Sequence, residues 1–322
     1  MKILLIQLRR LGDLLMTTPA IRAIKQVHPQ ASLWLLCEKG CAPAVANHPG
    51  LDKILFREDD SWFGLIKRLR HENFDVLIDF QNTPATARLS FLSGAKKRIG
   101  SERRGRSWAY HVAVPSAAER IYSAQDKARL LTPLDIPCPS FMPEYFEAEQ
   151  EIQEAQRLAD RLKLPSKEKL IALSPVSRRE YKRFPLDRFA HLCDTLHEQH
   201  NVTFLPFFGP GEESFIREMI TASKYPDIFH FPYIPLSFGA LKPLLSRCSF
   251  YLGNDNGIRH MAIIAGLPTA TVFGRPDPLN WTPPDSHGHF YVWGKEKMAS
   301  LSTEAIHRIA EQAFQAAMTS FK

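Results

Sequence analysis

The sequence predicts an α/β protein built from two doubly wound halves facing a central cleft, and three observations predict it. The chain has 322 residues, too many for one small core and enough for two domains of about 150 residues each. Short strand-like runs alternate with amphipathic helical segments from one end to the other. Those runs are apolar almost throughout instead of alternating, which is the pattern of a parallel sheet covered on both faces.

In the first half the strands are "KILLIQL", "SLWLLCE", "KILF", "DVLIDF", "KRIG" and "HVAVP". Helical patterns between them include "MTTPAIRAIKQV", "FGLIKRLRHE" and "IYSAQDKARLL". A Pro-rich passage, "PLDIPCPSFMPEYF", interrupts this rhythm ahead of "EAEQEIQEAQRLADRL" and marks the natural boundary, giving domains 1–146 and 147–322. The second half continues with "KLIALSP", "VTFLPFFG", "DIFHF", "SFYLGN" and "TATVFG", each but the last followed by a helical segment. The closing stretch "STEAIHRIAEQAFQAAM" reads as one amphipathic helix, about 302–320, and is a candidate to pack back on the N-terminal domain. Ligands of doubly wound sheets bind beyond the carboxyl ends of the strands, so the loops that follow strands are where chemistry is sought.

Composition narrows the function classes. The apolar fraction is 44%, yet no apolar run approaches the roughly 20 residues that span a bilayer. The opening "KILLIQL" imitates a signal peptide, but Arg9 and Arg10 end it early and no small-residue cleavage site follows, so export is not expected. Five cysteines (Cys37, Cys41, Cys138, Cys193 and Cys248) show no metal-knuckle or disulfide-framework spacing and read as reduced thiols of a cytoplasmic protein. The net charge of +7 is concentrated in "KKRIGSERRGR", which holds Lys96, Lys97, Arg98, Arg103, Arg104 and Arg106. Such a patch suits a phosphate-rich or anionic-membrane partner, and an ordinary solvated loop accounts for it equally well. Nucleic acid is not an expected partner, because no nucleic-acid motif is present and aromatics do not interleave with the basic run.

Four strand-to-helix loops carry candidate chemistry. In "RRLGDLLMTTPAI", Gly12 permits a tight turn and Asp13 falls at the start of the next helix. A helix-start aspartate is first of all a cap and a dipole partner. The same carboxylate, exposed to a substrate hydroxyl, can also accept a proton. In "YLGNDNGIRHMAIIAGLPTATVFG", small residues precede a helix beginning near Ile258, and exposed amides at a positive helix end suit a diphosphate. There Asp255 braces the loop or meets a sugar hydroxyl, and His260 either donates to a ligand oxygen or packs on the helix start. Neither a G-x-G-x-x-G fingerprint nor a P-loop is present.

The third loop, "SPVSRREYKRFPLDRF", offers Ser174, Ser177, Arg178, Arg179, Lys182 and Arg183 ahead of a helix beginning near Pro185. A cation there would neutralise charge building on a departing diphosphate, and Lys182 is the preferred one. In the fourth, "FFGPGEESFIREM", Glu212 and Glu213 open a helix. Acids so placed are dipole partners on spacing alone, and can instead grip a ribose diol.

Taken together, "RRLGDLLMTTPAIRAIK", "SPVSRREYKRFP", "FFGPGEE" and "GNDNGIRHMAIIAGLPTATVFG" resemble glycosyltransferase family 9, whose best-known members are ADP-heptose:lipopolysaccharide heptosyltransferases. The resemblance covers nearly the whole chain, with its motifs in the expected order. It implies a GT-B fold of two Rossmann-like domains, acceptor on the first and nucleotide sugar on the second. It implies inverting transfer with no cofactor and no metal, from ADP-heptose to the lipopolysaccharide inner core at the inner face of the plasma membrane. By that resemblance Asp13 is the general base, Lys182 and Ser177 meet the diphosphate, and Glu212 (or Glu213) binds ribose. Asp255, Asn256, Gly257 and His260 complete the donor site. Independently of the resemblance, Arg9 and Arg10 beside Asp13 would keep it ionised and are candidates to hold acceptor phosphates. Two positions depart from the family pattern: Asn256 stands where a Thr or Ser is usual, and Phe184 where a Trp is common. A sugar-nucleotide epimerase of the same fold and a family member with altered activity are the competing readings.

Overall fold

Ile3 to Ile6 are completely buried, and a run buried on all sides has one stable place, the centre of a sheet covered on both faces. In the computed structural model, which describes residues 1–177, 179–233, 236–284, 287–295 and 297–320, that run belongs to β1 (Lys2–Ile6). The chain divides into two compact units, Met1–Phe146 and Glu147–Lys322.

In the first unit β1 leads to α1 (Leu11–Leu15), α2 (Thr18–Val27), β2 (Ser32–Cys37), β3 (Lys53–Phe56), α3 (Trp62–His71) and β4 (Val76–Asp79). Then follow α4 (Pro84–Leu92), β5 (Lys97–Ser101), β6 (Val112–Val114) and α5 (Ser123–Ala128). Each strand matches one of the six runs read from the sequence, β5 extending one residue beyond "KRIG" to Ser101; all pairings are parallel, and the order is β3-β2-β1-β4-β5-β6. This Rossmann order reverses direction between β1 and β4, so the loops that leave those two strands diverge and open a crevice at their carboxyl ends. Ile6 pairs with Asp79, which brings the two strand ends level. Helix α4 has no clear apolar stripe to announce it. It is defined instead by its start: Thr83 accepts the Thr86 N–H at 3.2 Å, and Pro84 occupies the first turn, where its missing N–H costs nothing.

The second unit runs α6 (Glu149–Arg161), β7 (Leu170–Ser174), α7 (Leu186–His200), β8 (Thr203–Pro206), α8 (Glu213–Ala222) and α9 (Leu241–Leu245). It continues with β9 (Tyr251–Asn254), α10 (Gly257–Ile264), β10 (Thr269–Phe273), β11 (His289–Trp293) and α11 (Thr303–Ser320). Its sheet is again parallel, in the order β11-β10-β9-β7-β8, which is the flavodoxin-like arrangement with its reversal between β7 and β9. Two elements differ from the sequence reading. "DIFHF" is not a strand: Pro226–Ile228 is a tight turn and Phe229 makes a single bridge to Phe204, because Pro226 and Pro232 bracket the run and remove ladder donors. The fifth strand is instead β11, whose half-exposed edge position left it without a strong apolar signal. Helix α11 sets Ile306, Ile309, Ala310, Ala313 and Ala317 in the same core as Ala270 and Val272 of β10, its alanines allowing close approach to the sheet. Its apolar face is thereby used within its own unit.

Gly253 is required where β9 passes β7, since a Cβ there would lie 2.3 Å from the Ser174 carbonyl oxygen. Gly253→Ala is expected to destabilise the protein by about 1–3 kcal/mol through overpacking. Gly40→Ala, where a Cβ meets nothing within 4 Å, is expected to shift stability by less than about 0.5 kcal/mol. Urea unfolding of the two variants beside the parent checks both.

Candidate active site

At the first switch point the chain leaves β1 through Gln7, Leu8, Arg9 and Arg10. Gln7 is buried; its Nε2 donates to the Arg9 carbonyl at 2.8 Å and to Gln81 Oε1 at 2.7 Å. Gln81 Oε1 also accepts the Arg9 N–H at 3.1 Å. Two glutamines, one beyond each strand end, therefore hold both backbone polar groups of Arg9. Asp13 is the third residue of α1 and half-buried, and its Oδ2 accepts the Arg10 N–H at 3.2 Å. Its capping role is thus realised, and one carboxylate oxygen is enough to fill it. Arg9 and Arg10 are exposed, with Arg9 Nε 3.6 Å from Glu38.

Beneath this loop lies a polar layer that the sequence reading missed. Asp79 is fully buried at the end of β4 and accepts from the Gln81 N–H (3.0 Å), the Asn82 N–H (2.9 Å) and the Tyr110 hydroxyl (2.8 Å). Burial pushes its carboxyl up, against the opposing pull of those hydrogen bonds. Lys127 of α5, also buried, donates to Gln7 Oε1 at 2.5 Å. An aspartate closing the apolar run "VLID" was a visible signal. A lysine inside a polar helical segment was not, because at that spacing it reads as solvated surface.

At the second switch point the residues named from the sequence converge. Lys182 Nζ lies 2.7 Å from Asp255 Oδ2, with the Asp255 side chain only 5% exposed and that of Lys182 20%. A Cβ on Gly274, at the end of β10, would stand 3.0 Å from the Tyr181 carbonyl oxygen, so glycine there lets the turn carrying Lys182 settle on the strand end. Asn254, given no separate role in the sequence reading, ties the same loop down: its Nδ2 donates to the Pro175 carbonyl at 2.5 Å, and its Oδ1 accepts the Phe184 N–H at 3.3 Å. Phe184 is fully buried edge-on to Phe189.

Asn256 is the N-cap of α10. Its Oδ1 accepts the N–H groups of Ile258 and Arg259 at 3.0 and 3.2 Å, and its Nδ2 donates to Ser174 Oγ at 2.9 Å and the Val176 carbonyl at 3.0 Å. Both ends of the amide are thus engaged within the protein, because a side chain with both a donor and an acceptor satisfies the loop and the helix start together. Gly257, the first residue of α10, is exposed. His260 is buried beside Trp281, ring centroids 5.6 Å apart, and its Nδ1 has no hydrogen-bond partner among the described residues. Burial first, then the positive charges of Arg259 and Lys182, drive its imidazole down to about 4 against the pull of Asp255. The ring is neutral at pH 7.

The side chains of the remaining candidates make other contacts. Ser177 is buried and its carbonyl accepts from Arg183 Nε at 2.6 Å; Arg179 is exposed; Arg178 lies outside the described residues. Glu212 Oε2 accepts the Gly209 N–H at 2.9 Å and braces its own loop, while Glu213 pairs with Arg217 at 2.7 Å. No hydrogen bond or ion pair among the described residues joins either acid to Lys182 or Asp255. No group of three His, Cys, Asp or Glu side chains with metal-holding geometry occurs among the described residues.

Two Rossmann-like units in one chain, with parallel sheets wound in these orders, give the GT-B fold. The profile of glycosyltransferase family 9 (heptosyltransferase) matches residues 62–308, and the chain belongs to that family. It is 22% identical over 286 residues to lipopolysaccharide heptosyltransferase 3 of Escherichia coli (strain K12), covering 84% of this chain and 82% of that protein. The crystal structure of the glycosyl transferase family 9 from Veillonella parvula DSM 2008 superposes with a TM-score of 0.84 at 19% identity, covering 98% of this chain and 97% of that one. E. coli heptosyltransferase WaaC with ADP-2-deoxy-2-fluoro heptose gives a TM-score of 0.74 at 18% identity, covering 97% and 99% respectively.

The lowered His260 sets a pH window. Its folded value, about 4, lies below the ordinary imidazole value of 6.5, so between these two the unfolded chain binds more protons and stability rises with pH. Stability should be complete above pH 6.5 and fall as pH drops toward 4, by roughly 1–3 kcal/mol from this group. His260→Gln should flatten the slope without abolishing it, since burial lowers His289 to about 4 as well. Denaturant unfolding at half-unit pH intervals reads the difference.

Proposed function

We propose that this glycosyltransferase moves a heptose from ADP-heptose to the inner core of lipopolysaccharide by a single inverting displacement that needs no metal. The observation that carries the reading is the Lys182–Asp255 pair at 2.7 Å beside the β7/β9 switch point, in a chain of the heptosyltransferase family. The donor is supported by a relative of the same fold described with an ADP-heptose analogue, and the acceptor by relatives described as lipopolysaccharide heptosyltransferases.

In the first unit Asp13 takes the proton from an acceptor hydroxyl, its second carboxylate oxygen being enough for the task while the first holds the Arg10 amide. The hydroxyl oxygen attacks the anomeric carbon, the bond to the diphosphate breaks on the opposite side, and the configuration inverts. In the second unit the Lys182 ammonium meets the charge that builds on the departing diphosphate. Asp255 keeps that ammonium aimed before the donor arrives, and the positive end of α10 adds its dipole. His260 Nδ1, buried and neutral, is a polar atom available to a donor oxygen. Ser177 and Gly257 flank the diphosphate and Glu212 takes the ribose, exchanging its bond to the Gly209 N–H for hydroxyl donors. Arg9 and Arg10, exposed at the mouth of the first loop, hold acceptor phosphates.

The acceptor's anchorage suggests peripheral contact with an anionic, cytoplasmic membrane face. Of the basic run, Lys96 pairs with Asp75, Lys97 reaches the Pro133 carbonyl, Arg98 binds the Ala109 carbonyl and Arg106 binds the Asn82 carbonyl. Arg103 and Arg104 remain exposed on the loop that carries the exposed Trp108, whose ring meets that of the exposed Phe91 edge to face at 5.2 Å, with the Arg98 guanidinium 5.6 Å from the Phe91 ring. Cations beside aromatic rings suit a headgroup layer.

With ADP-heptose and heptose-deficient lipopolysaccharide, Asp13→Asn is expected to lower turnover roughly 100-fold or more, with ADP affinity by calorimetry unchanged. Lys182→Ala is expected to weaken ADP binding and turnover together. Near-normal transfer by the Asp13 variant would remove the base assignment, and loss of ADP-heptose without acceptor would favour an epimerase. Removing Arg103 and Arg104 should weaken binding to phosphatidylglycerol vesicles by about fivefold per arginine; sedimentation with vesicles checks this.

A further inference from the structure

A buried lysine with no solvent to hold its charge needs a reason to be where it is. Lys127 is 9% exposed, yet it lies in α5 of the first unit, a short helix with no sequence motif. Its Nζ donates to Gln7 Oε1 at 2.5 Å and sits 5.8 Å from the centre of the Phe80 ring. Because Lys127 takes the carbonyl end of the Gln7 amide, the nitrogen end has one orientation left. That end donates to the Arg9 carbonyl at 2.8 Å and to Gln81 Oε1 at 2.7 Å, and Gln81 in turn accepts the Arg9 N–H at 3.1 Å. Gln81 is itself set by Asp79, which accepts its N–H at 3.0 Å. The chain of bonds ends on the peptide groups just before Asp13, whose carboxylate holds the next N–H, that of Arg10.

We infer that Lys127 is a positioning residue for the transfer step, fixing through Gln7 and Gln81 the loop that presents Asp13. Three features make this more than a structural tie. An amide can be rotated end for end with almost no change in packing, so only a charged donor on one end and a carboxamide oxygen on the other make the register of the Arg9 peptide unique. The cation is also paired at distance with the carboxylate it positions: burial drives the Lys127 ammonium down, and Asp13 is the strongest of the charges that oppose this, ahead of Asp126 on its own helix and Asp79 on β4. Finally, the four elements involved, the ends of β1 and β4, the loop into α1, and α5, are joined by these bonds at the first switch point. A general base must be held within a fraction of an ångström of its substrate proton, and a loop base has no strand or long helix to do this for it.

This rests on the proposed role of Asp13, and two readouts separate the two ideas. Lys127→Met removes the charge at similar volume. Amide hydrogen exchange in the free protein should then speed at least tenfold at Arg9 to Asp13, with β2 and the second unit unchanged. Turnover with ADP-heptose and heptose-deficient lipopolysaccharide should fall at least tenfold, with donor KM and ADP affinity unaltered, and Lys127→Arg should restore most of it. Exchange that stays at the parent rate in the loop, or rises uniformly, overturns the inference, as does a parent-like kcat. Gln81→Met, which leaves Lys127 and its bond to Gln7 in place and removes the oxygen that accepts from Gln7 Nε2 and the Arg9 N–H, is the second variant should Lys127→Met fail to fold. It is expected to lower kcat at least fivefold, and an unchanged kcat overturns the inference equally. If the parent protein does not transfer from ADP-heptose, the proposed function fails alone, and the exchange measurement still decides the role of Lys127.

Discussion

Reversal of strand order in a buried parallel sheet is the constraint on which the rest of this molecule depends. When successive crossovers continue on one side, each strand-end loop is covered by the next. Where the winding changes direction, two neighbouring strands send their loops apart, and the space between them is lined by backbone ends that helices do not close. In this chain the reversals fall between β1 and β4 and between β7 and β9. Every charged group assigned to proton transfer or to the leaving diphosphate follows one of those strands or packs on the loops that do.

The two switch points solve the same problem with different chemistry. Strand ends leave polar groups in a nearly dry place, where an unsatisfied donor or acceptor costs about 1–3 kcal/mol. In the first unit neutral amides, Gln7 and Gln81, clamp the loop, and a buried cation orients them. In the second, Asn254 and Asn256 clamp it and leave the ion pair Lys182–Asp255 exposed on one side only. A carboxylate fixed against one bond suits a base, and an ammonium steadied by a carboxylate suits a receiver of negative charge. The half-buried pair adds little net stability, because taking two charges from water offsets most of their attraction.

Asn256 shows how a departure from a family pattern can be absorbed. A serine or threonine there would cap α10 with its hydroxyl. Asparagine caps with its oxygen and uses its nitrogen on Ser174 and Val176, so the loop after β7 and the start of α10 are joined by one side chain. The amide therefore substitutes in the structural part of the motif, while the charged pair Lys182–Asp255 and the neutral His260 are retained nearby.

By itself the sequence determined the α/β class, the parallel sheets, all six strands of the first unit and four of the second. It did so because a short apolar run bounded by turn residues is a local pattern, readable without knowing the partner strand. It also located the loops that bear Asp13, Lys182 and Asp255, since each follows such a run. Only the tertiary structure decided which polar groups meet. Lys182 and Asp255 are 73 residues apart, and Lys127 and Gln7 120 apart, so no spacing along the chain announces either contact. The same holds for β11, a half-exposed edge strand, and for "DIFHF", whose apolar residues promise a strand that flanking prolines deny. Local patterns report how much water a residue avoids, whereas pairing depends on where the winding of the sheet brings distant ends together.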